Sequence, residues 1–536
     1  MSEIVKGTDL TVREKRLLFW ASFLSLTAAG FGFAFRVAMG GAYGEELALT
    51  NHQVGMIFGA SLWPIAITMI GFSLVVDRTG YKGPMVVAFL LQAGSGIGTF
   101  MADSYGGLYA AALAAGLGHG IVEAVINPVC AAVYPKEKTK WLTILHAAWP
   151  AGLVLGTILI IYAEGLGGRV GLGWRYQALW IVLPSIAYAL MYLPCKFPVD
   201  ERVQAGVPYI QMLREVGFLG ATLASVLLVY EIGNQGKELE FWGLPDGWFT
   251  LSLGVGAGIG LAYGVLVRSI GQPLFFLMCL LMIPVATAEL GTDQWIKDLM
   301  KPVLEGRGWN AGAALIFSAG IMLFFRVFAG GILRFISPPA LLAVSGVFSA
   351  IGLYWLSSAT GVAIFIAFTL YALGQTYYWP CVLGFTSERY PKGGALTLNT
   401  VSAIGLLSSG IIGGQLLGVA FDESIHESVV AQVPAIEAEA AEEKSFLGMS
   451  HEALMPDKVE AFIGGLDDPA EQARVEEVYG SAKQGAGRDV LAYAVRFPLI
   501  LIVAFGLIWL WFRMRGGYRP VTLEEMENSE QADPAV

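Results

Sequence analysis

Fourteen stretches of mostly apolar residues, separated by short charged loops, leave this chain few folds to choose from. They lie near 17–42, 53–76, 83–102, 106–134, 141–165, 176–195, 211–232, 248–268, 273–295, 311–333, 338–357, 361–386, 394–421 and 489–513. Each has roughly the 18–25 residues that cross a bilayer as a helix. Only 14% of the 536 residues are charged and 55% are hydrophobic. That is too little charge to cover a soluble protein of this size. Ten-residue segments of alternating hydrophobicity, the mark of a membrane β-barrel, are absent. The expected class is an all-α polytopic membrane protein.

The chain also repeats itself at an offset of 256 residues. Arg78, Gly96, Gly118, Tyr134, Pro135 and Lys136 recur as Arg334, Gly352, Gly374, Tyr390, Pro391 and Lys392. Duplication of a multi-helix membrane unit is typical of transporters. Six spans with short loops need roughly 190–200 residues. The surplus matches two extra spans, 211–232 and 248–268, set between the repeats. The organisation expected is a tail at 1–16, a six-helix bundle at 17–195, and a linker with an inserted hairpin at 196–272. A second six-helix bundle at 273–513 and a tail at 514–536 complete it. The Gly-rich run Leu253–Gly264 suits close helix packing, as a lipid-facing strut or a partner-binding element.

Lys and Arg collect in loops at Arg13–Arg16, Asp77–Lys82, Pro135–Lys140, Lys196–Arg202, Arg334, Arg389–Lys392 and Arg513–Arg519. All fall on one side of this map, which predicts a cytoplasmic face and two cytoplasmic termini. The N-terminal segment has no signal-peptide pattern, so the first span is expected to stay in place. Residues 422–488 hold 15 acidic and 5 basic residues, an excess equal to the chain's formal charge of −10. This acidic loop is expected outside the cytoplasm; helix-prone pieces such as Asp468–Tyr479 suggest a partly folded cap, and a solvated spacer is the favoured reading.

Cys130, Cys195, Cys279 and Cys381 form no Cys-x-x-Cys pair and read as small buried apolar groups. No metal or cofactor is expected. The sequence lacks Gly-x-x-x-x-Gly-Lys-Ser/Thr, His-Glu-x-x-His and Gly-x-Ser-x-Gly, which argues against an ATP-driven pump or an enzyme.

Glu123 is the costliest residue to place. A carboxylate at mid-membrane costs on the order of 3 kcal/mol on insertion scales, so it must be paired, wet or protonated. Asn127 lies one turn away on the same face, and Pro128 frees a backbone carbonyl. Arg36 keeps its proton and either neutralises Glu123 or binds an anionic substrate. Glu289 and Asp293 share a helical face, with Trp295 just beyond. Glu289 is read as functional or as a cap, and Asp293 as a cap. Arg326 is read as a structural residue that snorkels to the interface.

His119 and His146 are proton relays or packing residues. Gln375, the repeat mate of His119, could join Asn399 and Gln415 in hydrogen-bonding a polyol. Trp149 and Trp379 offer flat faces on which sugars stack. This neutral, polar and aromatic set favours a sugar over a phosphate or carboxylate.

Asp77-Arg78-Thr79-Gly80-Tyr81-Lys82 resembles the signature loop of the major facilitator superfamily, Gly-x-Leu-x-Asp-Arg-x-Gly-Arg-Lys. Ser73 and Val75 stand for its Gly and Leu, and Tyr81 for an Arg; Gly330, Gly331 and Arg334 keep a partial second copy. The resemblance implies a cytoplasmic latch, with Asp77, Arg78, Gly80, Lys82, Arg334, Glu388 and Arg389 as gate residues. A plain positive-inside anchor is the alternative.

Leu49-Thr50-Asn51-His52-Gln53-Val54-Gly55, Glu123 to Asn127-Pro128, Trp149-Pro150-Ala151-Gly152 and Tyr378-Trp379-Pro380 are similar to motifs of the fucose:proton symporter family. That family has an Asp near the outer end of span one. Here the position falls near Ala38, and span one has no acid. The resemblance implies a sugar and a coupling proton as partners, with a monomer in the plasma or inner membrane. Two alternatives stay open. One is an organic-anion carrier using Arg36; the other is a non-transporting receptor or scaffold acting through the acidic loop.

Overall fold

In hydrocarbon a chain can satisfy its peptide groups only within a helix or a closed barrel, and these apolar runs form helices. The computed structural model describes residues 6–170, 173–239, 241–245, 247–292, 296, 300, 304–306, 308, 312–446, 449–521 and 523. In chain order the first helices are α1 Val12–Glu46, α2 Gln53–Thr79, α3 Lys82–Met101, α4 Tyr105–Val133 and α5 Lys138–Tyr162. A broken segment follows and ends in α6, Val182–Tyr192. The hairpin is α7 Tyr209–Glu238 and α8 Trp248–Val267, followed by α9 Pro273–Gly291. Then come α10 Ala313–Val327, α11 Pro338–Leu356, α12 Ala363–Gln375, α13 Tyr378–Arg389 and α14 Pro391–Val430.

Eleven helices of the described residues are long and apolar enough to cross a membrane. The stretches expected at 176–195, 311–333 and 361–386 coincide with broken or shorter helices instead.

The 256-residue echo has a structural counterpart. Tyr134 and Tyr390 end α4 and α13 with nearly the same backbone, φ −124°, ψ 59° and φ −125°, ψ 54°. A residue before proline is excluded from the helical region, so Tyr-Pro stops both helices in the same way. The paired glycines allow close approach. A Cβ on Gly118 would lie 3.0 Å from Leu91 Cβ of α3, and one on Gly374 would lie 2.7 Å from the Ser345 carbonyl of α11. Gly152, in the Trp-Pro-Ala-Gly motif, faces α1 so closely that a Cβ would sit 2.7 Å from the Phe31 amide. Small residues are what such backbone contacts require.

The hairpin packs through α7 mainly on α14 and α9, and it also reaches the N-terminal helices. Tyr109 of α4 donates to Gln235 Oε1 at 3.0 Å, and Tyr209 donates to the Leu74 carbonyl at 2.8 Å. Leu253, Val255, Ile259, Leu261, Val265 and Leu266 of α8 are exposed, an apolar face of the kind lipid covers.

The acidic segment is folded, not a solvated spacer. Beyond α14 come α15 Ala435–Ala440, an antiparallel pair β1 Ala441–Phe446 and β2 Met449–Leu454, α16 Pro456–Gly464 and α17 Pro469–Met514. Ile425, Val429, Ile436, Val459, Val475 and Ala486 close a separate apolar core. α14 and α17 have 40 and 46 residues. At about 1.5 Å per residue each is roughly twice the ~30 Å hydrocarbon thickness. Their overrunning ends carry this cap.

Candidate functional site

Buried polar groups of α4, α5, α9, α10 and α13 join into one hydrogen-bonded chain. On α4 the four-residue spacing puts Asn127 beside Glu123, and Asn127 Nδ2 donates to Glu123 Oε2 at 2.7 Å. The amide oxygen can then only accept, so His146 Nε2, 3.0 Å from Asn127 Oδ1, is its donor. His119 Nε2 lies 3.7 Å from Glu123 Oε1, and the His119 ring stacks on Trp149 at 5.0 Å.

The chain continues through the backbone of His146, whose carbonyl accepts from Arg326 Nη1 at 3.0 Å. Arg326 also donates to the Thr376 carbonyl at 2.7 Å and to Glu289 Oε1 at 2.7 Å. Two local features place Glu289. α9 widens into a π-helical turn over Thr287–Gly291, a distortion common at functional sites. The free amides at the start of α13 supply a donor, and Trp379 N gives its hydrogen to Glu289 Oε2 at 3.1 Å. Glu123, Glu289 and Arg326 are 7%, 5% and 2% exposed.

Arg326 therefore does not snorkel: it is buried and ion-paired, and it ties the C-terminal helices to α5. Glu289 is its partner. Asp293 and Trp295 lie outside the described residues.

Pro128 cannot donate to the Ala124 carbonyl. That oxygen accepts instead from Asn399 Nδ2 of α14 at 3.3 Å, and the same nitrogen donates to Ser73 Oγ of α2 at 2.7 Å. Gln375 is fully buried with no hydrogen-bond partner among the described residues. Gln415 is exposed and does not join the chain.

Arg36 does not neutralise Glu123. It is buried, and it donates to the Gly32 carbonyl at 2.8 Å and to Ser95 Oγ. It lines a cavity with Ser61, Gln92, His119 and Trp149.

A second set of contacts closes the Asp77 end. Asp77 pairs with Arg202 of the linker, not with the second half. Asp200 makes the crossing: its Oδ2 accepts from Tyr81 OH at 3.3 Å and from the Ala395 amide of α14 at 3.1 Å. Burial pushes the Asp200 carboxyl above the usual carboxylate range, against the hydrogen bond from the Arg202 amide. Glu388 accepts from Thr139 N and Oγ1 of α5 at 3.1 and 2.6 Å, and from Tyr518 OH at 2.6 Å. Lys138 Nζ donates to the Ser387 carbonyl at 3.3 Å. Lys82 donates to the Leu193 carbonyl, Gly80 ends α2 at φ +64°, and Arg389 lies over Phe512. Arg78 and Arg334 are exposed.

Sequence reasoning passes over Asp200, Arg202, Lys138 and Thr139. The charged three look like inside-loop anchors, Thr139 like an ordinary polar residue, and the partners that matter lie more than a hundred residues away.

The sequence profile of the Major Facilitator Superfamily matches residues 18–414. Comparison with curated protein sequences returns no match. Among solved structures, the proton:xylose symporter XylE bound to 6-bromo-6-deoxy-D-glucose is similar over 79% of this chain and 91% of its own, at 15% identity and a TM-score of 0.56. A variant of the E. coli fucose:proton symporter FucP is similar over 92% and 98%, at 12% identity and a TM-score of 0.52. The human organic anion transporter MFSD10 is similar over 92% and 99%, at 11% identity and a TM-score of 0.54. Identities this low show the fold alone. The match of the family profile over most of the chain, with its many membrane-length helices, decides the matter: this multi-pass membrane protein belongs to the Major Facilitator Superfamily.

Proposed function

We propose that the protein is a proton-coupled secondary transporter that moves a small hydroxylated solute by alternating access. In this reading fourteen helices cross the cell membrane: two six-helix bundles, each built from one repeat, and the inserted hairpin. Both termini are cytoplasmic, and the cap lies outside. Solute binds between the bundles at mid-membrane, and a protonatable carboxylate couples its movement to the proton gradient.

One observation carries the proposal: the buried chain from Glu123 through Asn127 and His146 to Arg326 and Glu289 runs from one half of the molecule into the other. Buried ionisable groups in membrane helices are expensive and are kept for ion or substrate pathways. Among the described residues Glu123 has only histidine and amide partners, so it can gain or lose a proton without breaking an ion pair to Arg. Glu289 is held by Arg326 and serves structure. The likeness to two sugar:proton symporters supports a polyol-like solute. So does the stacked Trp149–His119 wall, which offers a flat face to a sugar ring. Contacts of Asp200, Glu388 and Lys138 across the halves form the cytoplasmic gate, and the Asp77–Arg202 pair steadies the linker that carries Asp200.

Uptake of a panel of labelled sugars and polyols into proteoliposomes, with an imposed pH gradient, tests this reading. At least one solute is expected to accumulate when the outside is acidic, and to equilibrate without accumulating when the gradient is collapsed by an uncoupler. Accumulation that follows sodium and ignores pH would overturn the proton assignment.

The cap has its own core and, among the described residues, shares no hydrogen bond with the buried chain. Replacing residues 424–486 by a short turn is therefore expected to leave uptake within about twofold of the full chain. Uptake that survives the deletion argues against the receptor or scaffold reading, and complete loss of uptake in a deleted protein that remains folded would show that the cap takes part in transport.

A further inference from the structure

We infer that the cavity around Arg36 binds a carboxylate, so that the solute is a hydroxylated acid, such as a sugar acid, and not a neutral sugar. The inference rests on the transporter reading above and specifies its substrate class. The cavity is a half-open cleft that is tight in this closed conformation, with room for little more than a water, so a ring-sized guest requires its walls to part. Its walls come from the N-terminal helices and include Ser61, Gln92, Ser95, His119 and Trp149, with Arg36 at one side. The site thus takes the acid end of a solute on the N-terminal side of the path between the bundles.

Arg36 is 5% exposed, and its hydrogen bonds go to a backbone carbonyl and a serine hydroxyl. Among the described residues no carboxylate pairs with it. The nearest intramembrane acid on α4, Glu123, is engaged by Asn127 and faces His119 and His146. A buried cation without a counter-charge is among the most costly arrangements in a protein interior. An anion that enters and leaves would supply that charge in the bound state only.

A second, independent group points to a ligand. Gln92 lines the same cavity, is 4% exposed, and has no partner for either its amide oxygen or its nitrogen among the described residues. A buried amide with both ends unmet calls for a polar guest. The flat guanidinium fork fits a carboxylate edge, while the Gln92 amide fits a neighbouring hydroxyl, which both donates and accepts. No lysine or second arginine lines the cavity, so a single negative charge is matched and a dianionic phosphate is not. The Trp149 face remains for the C–H surface of the ring. Arg36 for the anion and Glu123 for the proton then divide the work between two separate groups.

The test uses the full chain in detergent, titrated with D-glucuronate, D-galacturonate, their uncharged amides and the parent hexoses, and read by intrinsic tryptophan fluorescence and calorimetry. At least one acid is expected to bind roughly tenfold or more tighter than its amide, the range a charged hydrogen bond supplies. Arg36→Gln should remove that preference, Arg36→Lys should restore part of it, and Gln92→Leu should weaken acid binding with the charge preference intact. Equal binding of acid and amide by wild type and Arg36→Gln would overturn the inference and leave the transporter reading standing. Binding of none of the acids would overturn it as well. Acids that bind selectively but never enter proteoliposomes would confirm the site and overturn the transporter reading instead.

Discussion

Arg326→Ala is expected to abolish uptake and to cost about 3–5 kcal/mol of stability, the range for removing one partner of a buried ion pair. The side chain is 2% exposed and donates to two backbone carbonyls and one carboxylate. Its loss strands Glu289 in a site where, among the described residues, only the Trp379 amide remains to solvate it. The bond to the His146 carbonyl makes this more than a local fault, because it joins α10 to α5 across the halves. Thermal unfolding in detergent and uptake in proteoliposomes measure the two effects separately. The double variant Glu289→Gln, Arg326→Met removes both charges and should recover most of the lost stability. Its uptake should stay low, since the tie to His146 is still missing. An Arg326→Ala protein with wild-type stability would show that the pair is not a buried electrostatic unit.

Gly384→Leu is expected to block transport without unfolding the protein. A Cβ at this position would lie 2.6 Å from both Cα and Cβ of Thr139, so part of the obstacle is backbone that no rotamer change removes. Gly384 belongs to α13 and Thr139 to α5, and the bonds from Thr139 to Glu388 sit at the same crossing. Within one bundle such a clash would damage folding. Between bundles it props open the end that Asp200 and Glu388 close.

Labelling reports this directly. The four native cysteines are buried and give little background. Ser73, fully buried and bonded to Asn399 across the halves, can be changed to cysteine as a probe. Ser73→Cys should resist an impermeant maleimide in the parent chain and react readily alongside Gly384→Leu. Wild-type uptake by Gly384→Leu would mean that this contact is not part of the transport cycle.

Local chemistry was legible in the sequence where it is decided within a few residues. Hydropathy marked most of the helices, and the repeated Tyr-Pro-Lys falls where α4 and α13 end, because proline restricts its predecessor. The four-residue spacing put Glu123 and Asn127 on one face, where they bond, and Pro128 foretold a freed carbonyl, which Asn399 takes.

What was missed depends on distant helices. Arg326 and Glu289 are 37 positions apart on separate elements, and no register relates them, so the arginine read as a snorkel. Arg36 and Glu123 looked like natural ion-pair partners, yet packing gives each a different environment. A folded cap was the less favoured reading because its many surface charges dominate the composition. The small set Ile425, Val429, Ile436, Val459 and Val475 is enough to close a core, but it leaves little trace in an average.

The coupling role of Glu123 is the centre of the account, and one substitution separates movement of solute from movement of protons. Glu123→Gln keeps the side chain's shape and its bond to Asn127 within reach, but it removes the titratable group. In proteoliposomes this variant should still exchange labelled for unlabelled solute across the membrane. It should fail to accumulate solute under an imposed proton gradient at any pH between about 5 and 8 (the span over which unperturbed histidines change charge). A Glu123→Gln protein that still concentrates solute in proportion to the proton gradient would contradict the account.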